Sequence, residues 1–390
     1  MNNAPDAHPT ISWNEAGALR SARWRSESGQ SPPRRVVVAD DQTRADAAYR
    51  LACAGTALLW RGDFQNARQL LQALTRRLDH KTRQSSGKTA AWGATAASPG
   101  AAFARHRQAQ ARRAQILGML VLPLAADYSV PLRRAPDLRP ACTAAYGPAD
   151  AAGAESVVSL RELLGLIGAY EWRKKGVAIA ELGDRIYPHY GVFAPIRSEY
   201  VGLVAAAPLP AATLAFDIGT GTGVLAALLA KRGVARVLAT DQDPRALACA
   251  RENLARLGLS ERVEVIAADL FPAGRAPLVL CNPPWLPAQP SAAVEQAVYD
   301  PGSRMLLGFL DGLAAHLMPG GEGWLVLSDL AEHLGLRSRA ELLAAIDAAG
   351  LKVIARSDVR PQHPRASDAS DPLHQARAAE VTSLWRLAAA

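Results

Sequence analysis

Two stretches of this 390-residue chain carry side chains whose types and spacing can do chemistry. The first is Phe216-Asp-Ile-Gly-Thr-Gly-Thr-Gly223. It follows a predicted strand and opens a predicted helix, so Gly219, Gly221 and Gly223 lie where the chain must turn tightly and let a ligand approach its backbone. Asp217 precedes them. Asp241 ends the next apolar run, 24 residues after Asp217, where a carboxylate can accept both hydroxyls of a ribose. Asp269 ends the third run, in Ala267-Ala-Asp-Leu-Phe271, where it can accept the amino group of an adenine. These positions fit an adenosine-containing cofactor, and on these residues alone a nicotinamide dinucleotide fits equally. Asp243, next to Pro244, reads as a helix N-cap.

The second stretch, Asn282-Pro-Pro-Trp285, ends a fourth apolar run. That is the carboxyl edge of the sheet, where open α/β proteins bind ligands. Two consecutive prolines fix the backbone and remove two N–H donors, so the carbonyls there can act as acceptors without competing donors. With the side-chain oxygen of Asn282 they can take both hydrogens of a planar amino or amide group and turn its nitrogen toward an electrophilic carbon. Trp285 can stack on that group. Such a loop argues against a dehydrogenase.

The elements that must position these residues are strands expected near 213–218, 235–240, 263–267, 277–281, 322–328, 352–357 and 381–387. Helices are expected between them at about 223–232, 244–258, 302–316 and 338–349. Short apolar runs alternating with amphipathic helices are the pattern of a doubly wound parallel sheet. Upstream, residues 1–40 mix Pro, Ser, Asn and Arg and read as a mobile arm. Residues 41–185 read as a mainly helical domain: a helical hairpin over about 41–80 broken at Gly62-Asp63, a flexible excursion over 82–100, and a basic helix over about 103–119. Two further helices are expected at 160–170 and 197–207, and residues 186–390 form the catalytic domain.

The net charge is +8, and the first 150 residues hold all of the excess, with 21 Lys and Arg against 11 Asp and Glu. That asymmetry suits a phosphate-binding region and suits a solvated basic surface equally. Apolar residues at 49% supply real cores and argue against global disorder. The longest strongly apolar stretch, 118–126, is far shorter than a membrane span and contains Pro123. The first 30 residues lack a charged start followed by an apolar block, so a cytoplasmic protein is expected. Cys53, Cys142, Cys249 and Cys281 show no CxxC spacing, which predicts neither a metal site nor a disulfide framework.

At the residues quoted, the chain resembles the class I methyltransferases, and among them the "small domain" group with an Asn-Pro-Pro-aromatic motif, over about Tyr187–Leu387. The resemblance implies a seven-stranded, doubly wound Rossmann-like methyltransferase sheet ordered 3-2-1-4-5-7-6 with the last strand antiparallel. It also implies S-adenosyl-L-methionine as cofactor. Asp217, Gly219, Gly221 and Gly223 match the loop on its methionine side, Asp241 the ribose ligand and Asp269 the adenine ligand. Asn282, Pro283, Pro284 and Trp285 match the loop that orients the target. Gly191-Val-Phe-Ala-Pro195 resembles a segment that often covers the cofactor. The aromatic here is Trp285, where Tyr or Phe is commoner. Displacement at a sulfonium reduces charge separation and demands neither metal nor covalent nucleophile.

The leading expectation is transfer to a base amine of RNA, because the excess positive charge is confined to the N-terminal region. The alternative is a protein glutamine methyltransferase of the release-factor or ribosomal-protein type, since a side-chain amide satisfies the same acceptors. A non-catalytic cofactor-binding module is the third reading. His363, Asp368, Asp371 and His374 are irregularly spaced and read as a polar loop. His189 is expected to be structural and Cys281 to pack beneath the target loop.

Overall fold

The computed structural model describes residues 9–90, 98–149, 153–290, 295, 297–361 and 371–390, the side chains of 81–90 excepted. The chain divides into two compact units, one of Met1–Ala97 with Ala104–Glu171, the other of Ser98–Phe103 with Trp172–Ala390. The division falls earlier than the boundary expected near residue 185.

In the first unit the elements are β1 (Thr10–Glu15), β2 (Ala18–Arg25), β3 (Arg35–Ala39), α1 (Ala45–Cys53), β4 (Thr56–Trp60), α2 (Phe64–Ala90), α3 (Pro99–Gly118), β5 (Leu120–Leu124), α4 (Arg139–Tyr146), β6 (Ser156–Ser159) and α5 (Leu160–Lys175). Six strands form one mixed sheet in the order β1-β2-β6-β5-β4-β3. Three sequence expectations are corrected here. Residues 10–39 are not a mobile arm: β1 and β2 form an antiparallel hairpin whose turn residues, Ala16 and Gly17, both have positive φ, the backbone of a tight hairpin turn. The region is a mixed α/β unit and not mainly helical. The apolar run Thr56–Trp60, taken as part of a helical hairpin, is β4, and every one of its residues is buried. The segment expected to be flexible continues α2 as far as Ala90, while 91–97 lie outside the described residues.

In the second unit a small hairpin of β7 (Val177–Ile179) and β8 (Asp184–Ile186) precedes α6 (Glu199–Ala206). Then follow β9 (Leu214–Ile218), α7 (Val224–Lys231), β10 (Arg236–Asp241), α8 (Pro244–Arg256), β11 (Val263–Ala267), β12 (Ala276–Cys281), α9 (Arg304–His316), β13 (Leu317–Ser328), α10 (Leu330–His333), α11 (Arg339–Ala348), β14 (Leu351–Val359), α12 (His374–Ala379) and β15 (Thr382–Ala389). Among the described residues the sheet runs β11-β10-β9-β12-β13-β15-β14. The first five are mutually parallel, and β15 is antiparallel to both neighbours.

Local sequence fixes these elements. Asp243 caps α8, its side chain accepting the Arg245 N–H, with Pro244 at the first helical position, where a missing N–H costs nothing. Ser338 and Glu341 cap α11 reciprocally. In α7 every residue from Val224 to Ala230 is buried, so this short helix is packed on all sides beside β9 and β10. No helix among the described residues is long and apolar enough to cross a membrane.

Candidate active site

β9 is flanked by parallel partners on both sides, β10 and β12, so its carboxyl end opens at the centre of the sheet. The glycine loop follows, tied to the next strand by the Thr220 N–H donating to the Thr240 carbonyl at 2.8 Å. Gly219 and Gly221 have φ of +71° and +56°, which a side chain rarely tolerates. A Cβ on Gly219 would stand 2.3 Å from Met305 Cε, while one on Gly221 would meet nothing within 4 Å. Both line a cavity of about 630 Å³, ample for a cofactor-sized ligand.

Asp217 and Gly223 do not line that cavity. The carboxylate of Asp217, 1% exposed, turns back into the loop and accepts from Thr220 Oγ1 at 2.7 Å and from the Ala226 N–H at 3.1 Å. Burial outweighs these bonds and pushes its pKa up to about 6. Asp217 therefore braces the loop from behind. Gly223 serves packing, since a Cβ there would press on Ala250 Cα at 3.3 Å. Both residues, expected on the cofactor side of the loop, lie behind the residues that line the cavity.

Asp241 ends β10 at the cavity wall. One of its oxygens accepts the Gly221 N–H and the other the Asp243 N–H, each at 3.0 Å. No cation among the described residues pairs with it, and burial raises its pKa. Each oxygen retains a lone pair, the acceptor set a pair of neighbouring hydroxyls requires. Asp269 also lines the cavity, but it is exposed and its carboxylate meets Arg304 at 2.6 Å. Asp269 and Arg304 thus form an ion pair at the rim.

Asn282, Pro283, Pro284 and Trp285 follow β12, and all four line the same cavity. The chain brings the two motifs together as the carboxyl edge of a doubly wound sheet should. Trp285 departs from the sequence expectation. Its indole N–H donates to Asn282 Oδ1 at 2.9 Å, so one lone pair of that oxygen is taken and the amide is held with its oxygen turned toward the ring. Trp285 orients Asn282 besides offering a face. Beyond the motif, the Leu286 N–H donates to the Val298 carbonyl and the Asp300 N–H to the Leu286 carbonyl. Asp300, in turn, accepts the Met305 and Leu306 N–H groups that open α9. Cys281 is fully buried, and burial pushes its thiol well up, which disfavours the thiolate form a nucleophile needs.

Several supporting residues escaped the sequence reading. Asn253, 1% exposed, accepts the Tyr187 N–H and donates to the carbonyls of Tyr187 and Thr222, which fastens the segment before the sheet to the glycine loop. His189 Nε2 lies 2.6 Å from Glu252 Oε2, and Glu252 also binds Arg173 and Arg256. His189 does not line the cavity. Burial lowers its pKa, and Glu252 at the centre of this knot is held down at about 2: hydrogen bonds from His189 and Arg256 overcome its desolvation. Across the cavity, Arg197 lies 5.9 Å from the Trp285 ring centroid and pairs at 3.0 Å with Glu380, which is 1% exposed and accepts from Ser328 Oγ. Only sequence-distant contacts reveal this bracket, so no local spacing could announce it. Asp371 pairs with Arg377; 362–370, with His363 and Asp368, lie outside the described residues. Among the described residues no cluster of three or more His, Cys, Asp or Glu could hold a metal ion.

A parallel sheet closed by an antiparallel last pair, with a glycine loop after its first strand and an Asn-Pro-Pro-aromatic loop after its fourth, is the architecture of the class I S-adenosylmethionine-dependent methyltransferases. The methyltransferase small domain family matches residues 185–338. A tRNA1(Val) (adenine(37)-N6)-methyltransferase of Shewanella amazonensis is 30% identical over 171 residues, 39% of this chain and 73% of that protein. A release factor glutamine methyltransferase of Cereibacter sphaeroides is 36% identical over 179 residues, 42% of this chain and 61% of that protein. A ribosomal protein L11 methyltransferase of Pelotomaculum thermopropionicum is 34% identical over 37% of this chain and 39% of that protein. This chain belongs to the methyltransferase small-domain family of class I S-adenosylmethionine-dependent methyltransferases.

Proposed function

We propose that this protein transfers a methyl group from S-adenosylmethionine to a planar amino nitrogen, and that the acceptor is a base of RNA. The observation that carries the proposal is one cavity lined at once by Gly219, Gly221 and Asp241 and by the Asn282–Trp285 loop. The residues fit the cofactor: Asp241 offers unpaired lone pairs with no cation paired to it among the described residues, and Gly221 leaves open space where any side chain would intrude. Asp241 holds the ribose hydroxyls, Gly219 and Gly221 admit the methionine portion, and Asp269 with Arg304 borders the adenine. When bound, the cofactor supplies a sulfonium-activated methyl carbon. The free lone pair of Asn282 Oδ1, together with the backbone carbonyls of a proline pair that has no N–H to compete, accepts the two amino hydrogens and aims the nitrogen. That is a positioning contribution, and misplacement of about 1 Å costs roughly 100-fold. The Trp285 ring gives the acceptor a face to stack on.

The charge asymmetry of the chain favours RNA, and one relative, 73% of whose length the chain covers, is by name a tRNA adenine methyltransferase. Protein glutamine is the second reading, favoured by the relatives named as release factor glutamine methyltransferases. Incubation of the protein with labelled S-adenosylmethionine and a fractionated cell extract separates the two. Label in the RNA fraction that disappears with Asn282→Ala supports the proposal. Label in protein, or in a Gly-Gly-Gln peptide with RNA unlabelled, replaces it by the second reading.

A further inference from the structure

The first unit carries a charged face that methyl transfer does not use. Helices α2 and α3 have no acidic residue in their first turns, and Asp79 is the sole carboxylate along both sequences. That one is consumed, because it pairs with Arg113 of α3. On the neighbouring α1, Asp46 is likewise taken by Arg77, whose Nε and Nη2 both reach the same carboxylate oxygen, at 3.0 and 2.7 Å. Between α1 and α2 lies a surface concavity of about 400 Å³, lined by Asp46, Tyr49, Arg50, Arg76, Arg77 and His80. Arg50, Arg76 and His80 are exposed and have no hydrogen-bond or ion-pair partner among the described residues. Arg112, also exposed on α3, adds to the same sign.

Uncompensated cations held on adjoining helices repel one another and weaken the fold unless an external polyanion neutralises them. Guanidinium groups suit phosphate oxygens because they donate two parallel hydrogen bonds, and an aromatic in the same hollow suits a base. An anionic membrane is a poorer partner, since insertion needs exposed large apolar side chains and those exposed among the described residues, such as Leu19, Val38 and Trp172, lie outside α1, α2 and α3. We infer that the face of α1, α2 and α3, centred on Arg50, Arg76 and His80, is a docking surface for the phosphodiester backbone of RNA. The choice of RNA rests on the acceptor proposed above, but docking is measured without turnover and so fails or holds separately.

The test uses the full chain and a fluorescein-labelled RNA hairpin of about 20 nucleotides, with affinity read by anisotropy across a salt series of roughly 50–200 mM. Each phosphate contact removed lowers the slope of log K against log salt by about 0.9. Arg50→Gln with Arg76→Gln is expected to weaken binding about 10-fold or more and to flatten the slope by about 2, with a circular-dichroism melt no lower than that of the native chain. Arg20→Gln, exposed on β2, serves as a control that leaves the slope in place. An unchanged slope in the double variant overturns the proposal, and so does equal competition by polyglutamate or by B-form DNA of matched charge. Should the methyl label enter protein while the hairpin still binds through Arg50 and Arg76, the acceptor proposal fails and the docking surface stands.

Discussion

Two aspartates, one in each unit, sit at the carboxyl side of a parallel strand and have opposite fates. Asp63 follows β4, is 1% exposed, and is saturated: it accepts from Arg133, Arg134 and the Gln65 N–H. Arg134, first among these, holds its pKa down at about 2. Asp241 ends β10 with no cation paired to it among the described residues, its pKa raised by burial, and its oxygens at the wall of a cavity. The first carboxylate closes the end of a sheet. The second faces a cavity, at a desolvation cost that its two backbone N–H bonds offset only in part. The proposed chemistry falls at the carboxylate left without a cation, and a shared α/β architecture says nothing about which sheet that will be.

The sharpest way to break the contrast is at the target loop. Asn282→Ala should reduce methyl transfer by about 100-fold or more while KM for the cofactor stays within about twofold, because the change removes an acceptor that the target nitrogen and the Trp285 indole share and the cofactor does not use. Next in size, Asp241→Ala should weaken S-adenosylhomocysteine binding by roughly 10- to 100-fold, the worth of charge-assisted hydrogen bonds at about 1.5–3 kcal/mol. Trp285→Phe keeps a ring face but deletes the indole donor to Asn282. A fall in kcat of about 10-fold, with cofactor affinity unchanged, is expected from the loss of one hydrogen bond and the freedom it gives the amide. No change in kcat would leave Trp285 a stacking face only.

The smallest effect concerns pH, and the two units should respond with opposite sign. Asp63 has a folded pKa of about 2 against an ordinary 3.8, so its contribution is present above pH 4 and lost as pH falls toward 2. Asp217, raised to about 6, favours the folded state below pH 4, and that advantage is lost as pH rises through 6. Asp217→Asn should therefore narrow the difference in Tm between pH 4.5 and pH 7. Against an ionisation cost of about 3 kcal/mol, offset by an amide N–H left without a partner, the gain at pH 7 is about 1 kcal/mol. An unaltered pH profile of Tm would show that Asp217 is charged in the fold at no cost.

The second unit was readable because its signals are local. Strands expected at 213–218, 263–267 and 277–281 are found at Leu214–Ile218, Val263–Ala267 and Ala276–Cys281, each an apolar run bounded by a turn residue or a cap. The first unit misled for a stated reason. Its central strands, Thr56–Trp60 and Leu120–Leu124, are buried at every position, so they lack the alternation that separates strand from helix. The β1 hairpin did alternate, burying Ile11 and Trp13, and Ala16-Gly17 marked its turn. In the site, the motif residues that line the cavity carry glycine and proline signals that a local reading can see. What braces them carries no such signal: Asn253 reaches Tyr187 and Thr222 across 66 and 31 residues, and the Arg197–Glu380 pair spans 183.

The account rests on a division of labour along one sheet edge, with Asp241 holding cofactor and Asn282 aiming the acceptor. Isothermal calorimetry of S-adenosylhomocysteine with the native chain, Asp241→Ala and Asn282→Ala tests it directly. Binding lost in Asp241→Ala and kept within about twofold in Asn282→Ala is the predicted result. Equal affinity in all three, or a loss confined to Asn282→Ala, would contradict it.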